Sequence, residues 1–252
     1  MKVIFVGAGP GDPELLTVKA ARLLQSCRCC VYAGSLVSPE VIAMLPPDAE
    51  KHDSAAMTLE ETTAVCAAAR ERGVDVVRLH TGDPSIYGAI REQMEELDKL
   101  GIAYEVVPGV SSFQAAAAAL KTELTAPEIS QTVILTRTSG RTPMPAGQEL
   151  EEMARTRATL CVFLSVHQMD KVAETLTVYY GADCPIAVVY RASWPDQVIV
   201  RGTLADIAGK VAEAGIGKTA MIVAGRALEW SGVASRLYAG DFTHGYREGK
   251  PS

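Results

Sequence analysis

Short apolar runs alternate with helix-patterned stretches along the first half of the chain. Val3 to Val6 is uninterrupted β-branched, aromatic and aliphatic sequence, which predicts a strand buried on both faces. Thr17 to Gln25 has helical spacing, and Cys29 to Tyr32 is again strand-like. Thr58 with Glu61 forms a capping-box pattern for a helix running to about Arg72. The series continues with a strand at Val74 to His80, a helix at Ile86 to Leu100, a strand at Ala103 to Val107 and an alanine-rich helix at Ser111 to Leu120. Such alternation predicts an α/β fold with a mainly parallel sheet covered on both faces.

Pro127 and its polar neighbours break the rhythm between Lys121 and Ser130, which reads as a connection between two α/β domains, 1–121 and 129–252. In the second half, strands are expected at Gln131 to Thr136, Thr159 to Leu164, Ile186 to Tyr190 and Ala220 to Ala224. Gln197 to Gly202 alternates as an antiparallel strand does, and helices are expected at Gln148 to Arg155, Gln168 to Tyr179 and Ala205 to Ala214.

Composition narrows the function classes. With 48% hydrophobic and 21% charged residues the chain can bury cores and is not of the disordered class. Met1-Lys2 leads straight into a strand, without the regions of a signal peptide, and no apolar run of about 18 residues marks a membrane span. A cytoplasmic protein without a membrane partner is expected. A net charge of −6 with no basic stripe argues against a nucleic-acid partner. A few converging arginines would still bind a small carboxylate-bearing substrate. The six cysteines follow no metal-ligand spacing and read as reduced, buried small hydrophobes, so no metal is expected.

Two loops join strands to helices where ligands of open parallel sheets bind. The first, Gly7-Ala8-Gly9-Pro10-Gly11-Asp12-Pro13, has the context of a dinucleotide fingerprint. Asp12 stands where the third glycine belongs, Pro10 removes a backbone donor, and no acidic residue closes the next strand. A nicotinamide site is therefore not expected. The second loop, Thr81-Gly82-Asp83-Pro84-Ser85-Ile86-Tyr87-Gly88, has a glycine that lets backbone come close to a ligand.

These two loops, with Val107-Pro108-Gly109-Val110-Ser111-Ser112, resemble the tetrapyrrole methylase family, in order and over nearly the whole chain. The resemblance implies two α/β domains with the cofactor in the cleft between them, S-adenosylmethionine as methyl donor, a tetrapyrrole substrate and a homodimer. The family's uroporphyrinogen methylases carry Tyr-Asp-Arg-Leu-Val after the second strand. Here that stretch reads Tyr32-Ala33-Gly34-Ser35-Leu36-Val37, and Glu50 to Glu61 departs as well. Together with Leu135-Thr136-Arg137 to Gly140-Arg141-Thr142-Pro143, these departures resemble the branch that methylates ring carbon 11 of precorrin-4, with or without cobalt. Another precorrin C-methyltransferase and, from a different class, a non-catalytic nucleotide-binding module are the alternatives.

By the same correspondence, the first domain's cofactor residues are Pro10, Thr81, Gly82, Asp83, Ile86, Ser111 and Ser112. The second domain's are Leu164, Ser165, Ala192 and Ala220. Arg137, Arg141 and His52 are the substrate-binding candidates, and no general base is assigned. Asp83, Tyr87 and Tyr32 are the polar groups expected nearest the reaction. Trp194 reads as a packing residue or a cover for the site, and His80 as a packing residue.

Overall fold

A computed structural model of the protein describes residues 1–140, 142–229, 235 and 239–249. The chain divides into two units, Met1–Ala119 with Arg191–Val198, and Leu120–Tyr190 with Ile199–Ser252.

The first unit is built on five strands: β1 (Lys2–Gly7), β2 (Cys29–Tyr32), β3 (Glu50–Asp53), β4 (Val76–His80) and β5 (Ala103–Val107). Their order is β3-β2-β4-β1-β5, and every pairing is parallel. Side chains alternate between the two faces of the sheet. One face packs Ile4, Val6, Val77 and Leu79 with Ala20 and Leu24 of helix α1 (Val18–Gln25) and Val41 of the single turn α2 (Pro39–Ile42). The opposite face packs Val3, Phe5, Val31 and Val76 with Cys66 and Ala69 of α3 (Leu59–Glu71) and Leu97 of α4 (Ile90–Lys99). Burial on both faces is why these strands read as continuous apolar runs. Each such side chain contributes roughly 1.5–3 kcal/mol.

Helix α3 begins with the expected capping box. Glu61 N–H donates to the Thr58 hydroxyl at 3.2 Å, and Thr58 N–H to the Glu61 carboxylate at 2.7 Å. Two elements were not expected. Strand β3 is Glu-Lys-His-Asp, an edge strand whose charges deter further pairing and erase any apolar signal. Helix α2 is one turn set by Ser38 as N-cap and Pro39 at its first position. Helix α4 starts at Ile90 instead of Ile86, because Tyr87 (φ 54°) and Ala89 (φ 49°) are left-handed and break the helical path. Helix α5 (Ser112–Leu120) closes the series.

The second unit has strands β6 (Val133–Arg137), β7 (Thr159–Phe163), β8 (Pro185–Tyr190), β9 (Val198–Thr203) and β10 (Ala220–Ala224), in the order β6-β7-β10-β8-β9. β6 and β7 are parallel, and β10 runs antiparallel to both β7 and β8. Helices α6 (Leu150–Ala154), α7 (Met169–Tyr180) and α8 (Ile207–Glu213) supply Ala154, Leu176 and Ile207 to a core with Leu160, Val188 and Ile222. The α/β architecture read from the strand–helix alternation is the observed one. All six cysteines are buried and none is in a disulfide.

Candidate active site

Strand order places β4, β1 and β5 side by side, so the loops leaving their carboxyl ends meet. Gly9 and Gly82 pair as an antiparallel bridge, Gly82 N–H donating to the Gly9 carbonyl at 2.7 Å and Gly9 N–H to the Gly82 carbonyl at 3.3 Å. Ala8 N–H donates to the His80 carbonyl at 2.7 Å. The third loop joins through the Asp83 carboxylate, which accepts Gly109 N–H at 2.9 Å and Ser85 N–H at 2.8 Å, and also the Ser85 hydroxyl. Gly7 and Gly109 touch backbone to backbone: a Cβ on Gly7 would lie 2.6 Å from the Gly109 Cα, and one on Gly109 would lie 2.3 Å from the Gly82 carbonyl oxygen. Gly82 does make a close approach, and its partners are protein backbone.

These contacts decide what the first loop can bind. The amides of Ala8, Gly9 and Asp12 already donate to protein acceptors, the last to the Ser193 hydroxyl at 3.1 Å, and Pro10 has no amide hydrogen. The Asp12 carboxylate caps the 3₁₀ turn Pro13–Leu15 by accepting Glu14 N–H at 2.8 Å. Helix α1 starts later, at Val18, with its first turn capped by the Thr17 hydroxyl on Ala20 N–H at 3.1 Å. A phosphate-binding loop instead aims unengaged amides and a helix N-terminus at the anion. Three amides of the first glycine loop are thus taken up by protein acceptors.

The expected residues of the first unit gather here. Thr81, Gly82, Asp83 and Ile86 form the β4 loop, with Ile86 N–H donating to the Asp83 carbonyl at 3.2 Å. Buried Ser111 opens α5, its N–H donating to the Gln114 side chain at 2.9 Å, and Ser112 is the first helical residue. Burial works to raise the Asp83 pKa, but the bonds from Ser85 and Gly109 outweigh it and hold the carboxyl below its ordinary range. That lowers its strength as a base. Tyr87 projects from the same loop, 46% exposed, with strained backbone, and Tyr32 ends β2 partly buried. His80 is buried, its ring 5.8 Å from Phe5 and its Nε2 without a hydrogen bond. Burial, helped by the Arg78 charge, pushes its pKa down to about 3, so it is neutral at neutral pH.

In the second unit the expected residues lie at one end of the sheet. Arg137 ends β6 opposite Phe163, Leu164 and Ser165 follow β7, and Ala220 begins β10 opposite Tyr190, whereas Ala192, expected with them, lies in the segment Arg191–Val198 that groups with the first unit. Leu164 and Thr219 here, and Arg191 and Ser193 of the segment that groups with the first unit, all have positive φ. Leu164 is also 66% exposed, an apolar side chain held toward solvent by a disfavoured conformation. Ser165 is fully buried and ties two loops together. Its hydroxyl accepts Thr138 N–H at 2.8 Å, lies 2.8 Å from the Thr138 hydroxyl and donates to the Phe163 carbonyl at 2.7 Å. The Arg137 guanidinium donates to the carbonyls of Thr138 and Thr142, at 3.1 and 3.0 Å, and of Pro143 at 3.1 Å. It therefore orders the loop it was expected to ride on, with two of its five N–H groups left over from these bonds. Arg141 lies outside the described residues.

His52 is not among the glycine loops. It faces Val31 across the β2–β3 ladder, and its Nε2 is 3.6 Å from the Glu50 carboxylate. With Cys29 these residues bring three potential metal-ligand atoms within 4.8 Å of one another. Two features count against a cation: Arg72 pairs with Glu50 at 2.8 Å, and burial pushes the Cys29 thiol up to about 11. Sequence spacing missed this grouping because it is made by strand pairing. It also missed the Gly7–Gly109 contact, whose only local sign is a glycine after each of two strands.

The molecule is thus an α/β protein of two sheets, with glycine loops that meet at the carboxyl edge of the first. Residues 2–208 match the model of the Tetrapyrrole (Corrin/Porphyrin) Methylases, and the chain belongs to that family, as its motifs led us to expect. A cobalt-precorrin-4 C(11)-methyltransferase from Methanocaldococcus jannaschii is 52% identical over 249 residues, 98% of this chain and 96% of that protein. A precorrin-4 C(11)-methyltransferase from Pseudomonas aeruginosa is 51% identical over 251 residues, 99% of this chain and 100% of the relative. Among solved structures, a cobalt precorrin-4 methyltransferase described as a cobalamin biosynthetic enzyme superposes with a TM-score of 0.88 at 47% identity, covering 91% of this chain and 96% of the other. A uroporphyrin-III C-methyltransferase from Thermus thermophilus, complexed with S-adenosylhomocysteine, gives 0.76 at 31% identity over 91% of this chain and 94% of the other.

Proposed function

We propose that this protein is a methyltransferase that uses S-adenosylmethionine to methylate ring carbon 11 of precorrin-4 in cobalamin synthesis. The observation that carries the substrate is identity of 51–52% over nearly the full length to relatives named for that reaction. Relatives named for the cobalt-containing and the metal-free substrate stand equally near, so the proposal is for the precorrin-4 macrocycle itself. The methyl donor fits the first glycine loop, whose engaged amides suit a nucleoside that carries no phosphate. No helix among the described residues is long and apolar enough to cross a membrane. A cytoplasmic homodimer of subunits with domains 1–121 and 129–252 completes the reading.

When bound, the cofactor supplies a methyl carbon already attached to a good leaving group. The protein's task is then placement, with the two carbons held in line about 3–3.5 Å apart. Pro10, Thr81, Gly82, Asp83, Ile86, Ser111 and Ser112 would hold the donor from domain 1–121, and Leu164, Ser165, Ala192 and Ala220 from domain 129–252. The precorrin carbon is enamine-like and needs little activation, and neither Asp83, held weakly basic by its hydrogen bonds, nor Tyr87 or Tyr32 is required as a base. The substrate's carboxylates would be met by Arg137, Arg141 and His52.

The test is incubation with precorrin-4 and labelled S-adenosylmethionine, with mass and NMR analysis of the product. A single new methyl on carbon 11 and release of S-adenosylhomocysteine is the expected result. A methyl on another ring carbon would overturn the regiochemistry. Tight NADP binding with no response to S-adenosylhomocysteine in a calorimetric titration would overturn the reading altogether.

A further inference from the structure

The connector Arg191–Val198 leaves β8, leads into β9 and groups with the first unit. Its tip meets three successive residues of the first glycine loop. The Trp194 indole N–H donates to the Pro10 carbonyl at 2.8 Å. The indole edge fills the space beside Gly11, where a Cβ would lie 2.1 Å from Trp194 Cδ1 and 2.3 Å from Nε1. The Ser193 hydroxyl accepts Asp12 N–H at 3.1 Å.

The connector is itself braced. The Arg191 guanidinium lies 4.7 Å from the centre of the indole ring and pairs with Asp196 at 2.5 Å. Trp194 N–H donates to the Arg191 carbonyl at 3.0 Å, Gln197 N–H to the Trp194 carbonyl at 3.1 Å, and Ser193 N–H to the Gln197 side chain at 2.8 Å.

We propose that Trp194 is a positioning residue for the methyl-donor loop, holding Pro10, Gly11 and Asp12 in their ligand-ready shape before the donor arrives. This rests on the reading above that the loop borders S-adenosylmethionine. A segment with glycines at 7, 9 and 11 has wide conformational freedom. Ordering it on binding would cost affinity, and a preformed loop avoids that cost. The indole N–H also engages the Pro10 carbonyl, so that acceptor is already partnered when the donor arrives.

Contacts of this kind act equally before and during methyl transfer. Their loss raises KM for the donor and leaves kcat unchanged. Trp194→Phe keeps a ring beside Gly11 and removes the N–H. It should weaken S-adenosylhomocysteine binding and raise KM for S-adenosylmethionine by about three- to tenfold, the effect of one neutral hydrogen bond. kcat and KM for the tetrapyrrole should stay within about twofold. Trp194→Ala should move the same constants further, and Ser193→Ala should move them in the same direction.

If wild type and both Trp194 variants, each folded by circular dichroism, bind S-adenosylhomocysteine equally, the positioning role is wrong and the methyltransferase reading stands. A fall in kcat at constant donor KM would also overturn the role. If wild type itself binds no S-adenosylhomocysteine, the functional reading fails, and this inference with it.

Discussion

Placing a methyl group at position 109 separates the three loops at the point where they touch. Neither Gly7 nor Gly109 has a left-handed backbone, so alanine at either position costs only through its Cβ. At Gly109 that atom would sit 2.3 Å from the Gly82 carbonyl oxygen and 2.8 Å from the Gly7 Cα. Both are backbone atoms that cannot rotate away. Relief requires the β5 loop to retreat by roughly 1 Å, and overpacking of this kind costs about 1–3 kcal/mol. The retreat also strains the paired Gly9–Gly82 bonds and the Gly109–Asp83 bond, each worth about 0.5–1.5 kcal/mol net. The total expected for Gly109→Ala is about 2–4 kcal/mol, a large part of an ordinary protein's stability. For a chain of this length it lowers Tm by roughly 5–15 °C.

Urea and thermal unfolding would measure the loss, and calorimetric titration would show weaker binding of S-adenosylhomocysteine. Gly7→Ala should behave alike, and the double variant should cost less than the sum because both methyls open the same gap. Gly101→Ala is the control. Unlike Gly7 and Gly109 it has a left-handed backbone (φ 64°), but open space surrounds it, so it should lose about 1–2 kcal/mol with no change in ligand affinity. A Gly109→Ala protein that melts within a degree of wild type and binds S-adenosylhomocysteine equally would refute the reasoning.

His80 has its folded pKa near 3 through burial and the Arg78 charge, against an ordinary 6.5, so the unfolded chain takes up the proton first as pH falls. Its contribution is full above pH 6.5 and is lost toward pH 3 at up to about 1.4 kcal/mol per pH unit. Urea melts of His80→Phe should show a flatter profile across that window, and parallel profiles would count against the assignment. Arg137→Ala removes three bonds to its own loop, and precorrin-4 affinity should fall about ten- to a hundredfold with S-adenosylhomocysteine binding unchanged. Unaltered kinetic constants for the tetrapyrrole would detach that loop from the substrate. Thr58→Ala breaks the capping box and should cost about 0.5–2 kcal/mol in unfolding experiments, with no effect on ligand titrations.

What could be read along the chain was what neighbours in sequence decide. The α3 capping box closes within four residues, buried parallel strands need continuous apolar runs, and strand–glycine–helix junctions mark the loops, so these were legible from Val3, Thr58 and Gly82 alone. Family motifs added the methyl-transfer reading. Other features depended on which strands became neighbours. The edge strand Glu50–Asp53 exists because it pairs with β2, and that pairing gathers His52 with Cys29 away from the glycine loops. The order β4-β1-β5 brings Gly7, Gly82 and Gly109 together from positions far apart in the chain. Arg137 turned inward because carbonyls of its own loop were within reach, and Trp194 reached Pro10 across 184 positions. Local propensity acts over a turn or two. Sheet order and the fate of a long polar side chain are set by contacts distant in sequence, and only the folded chain supplies them.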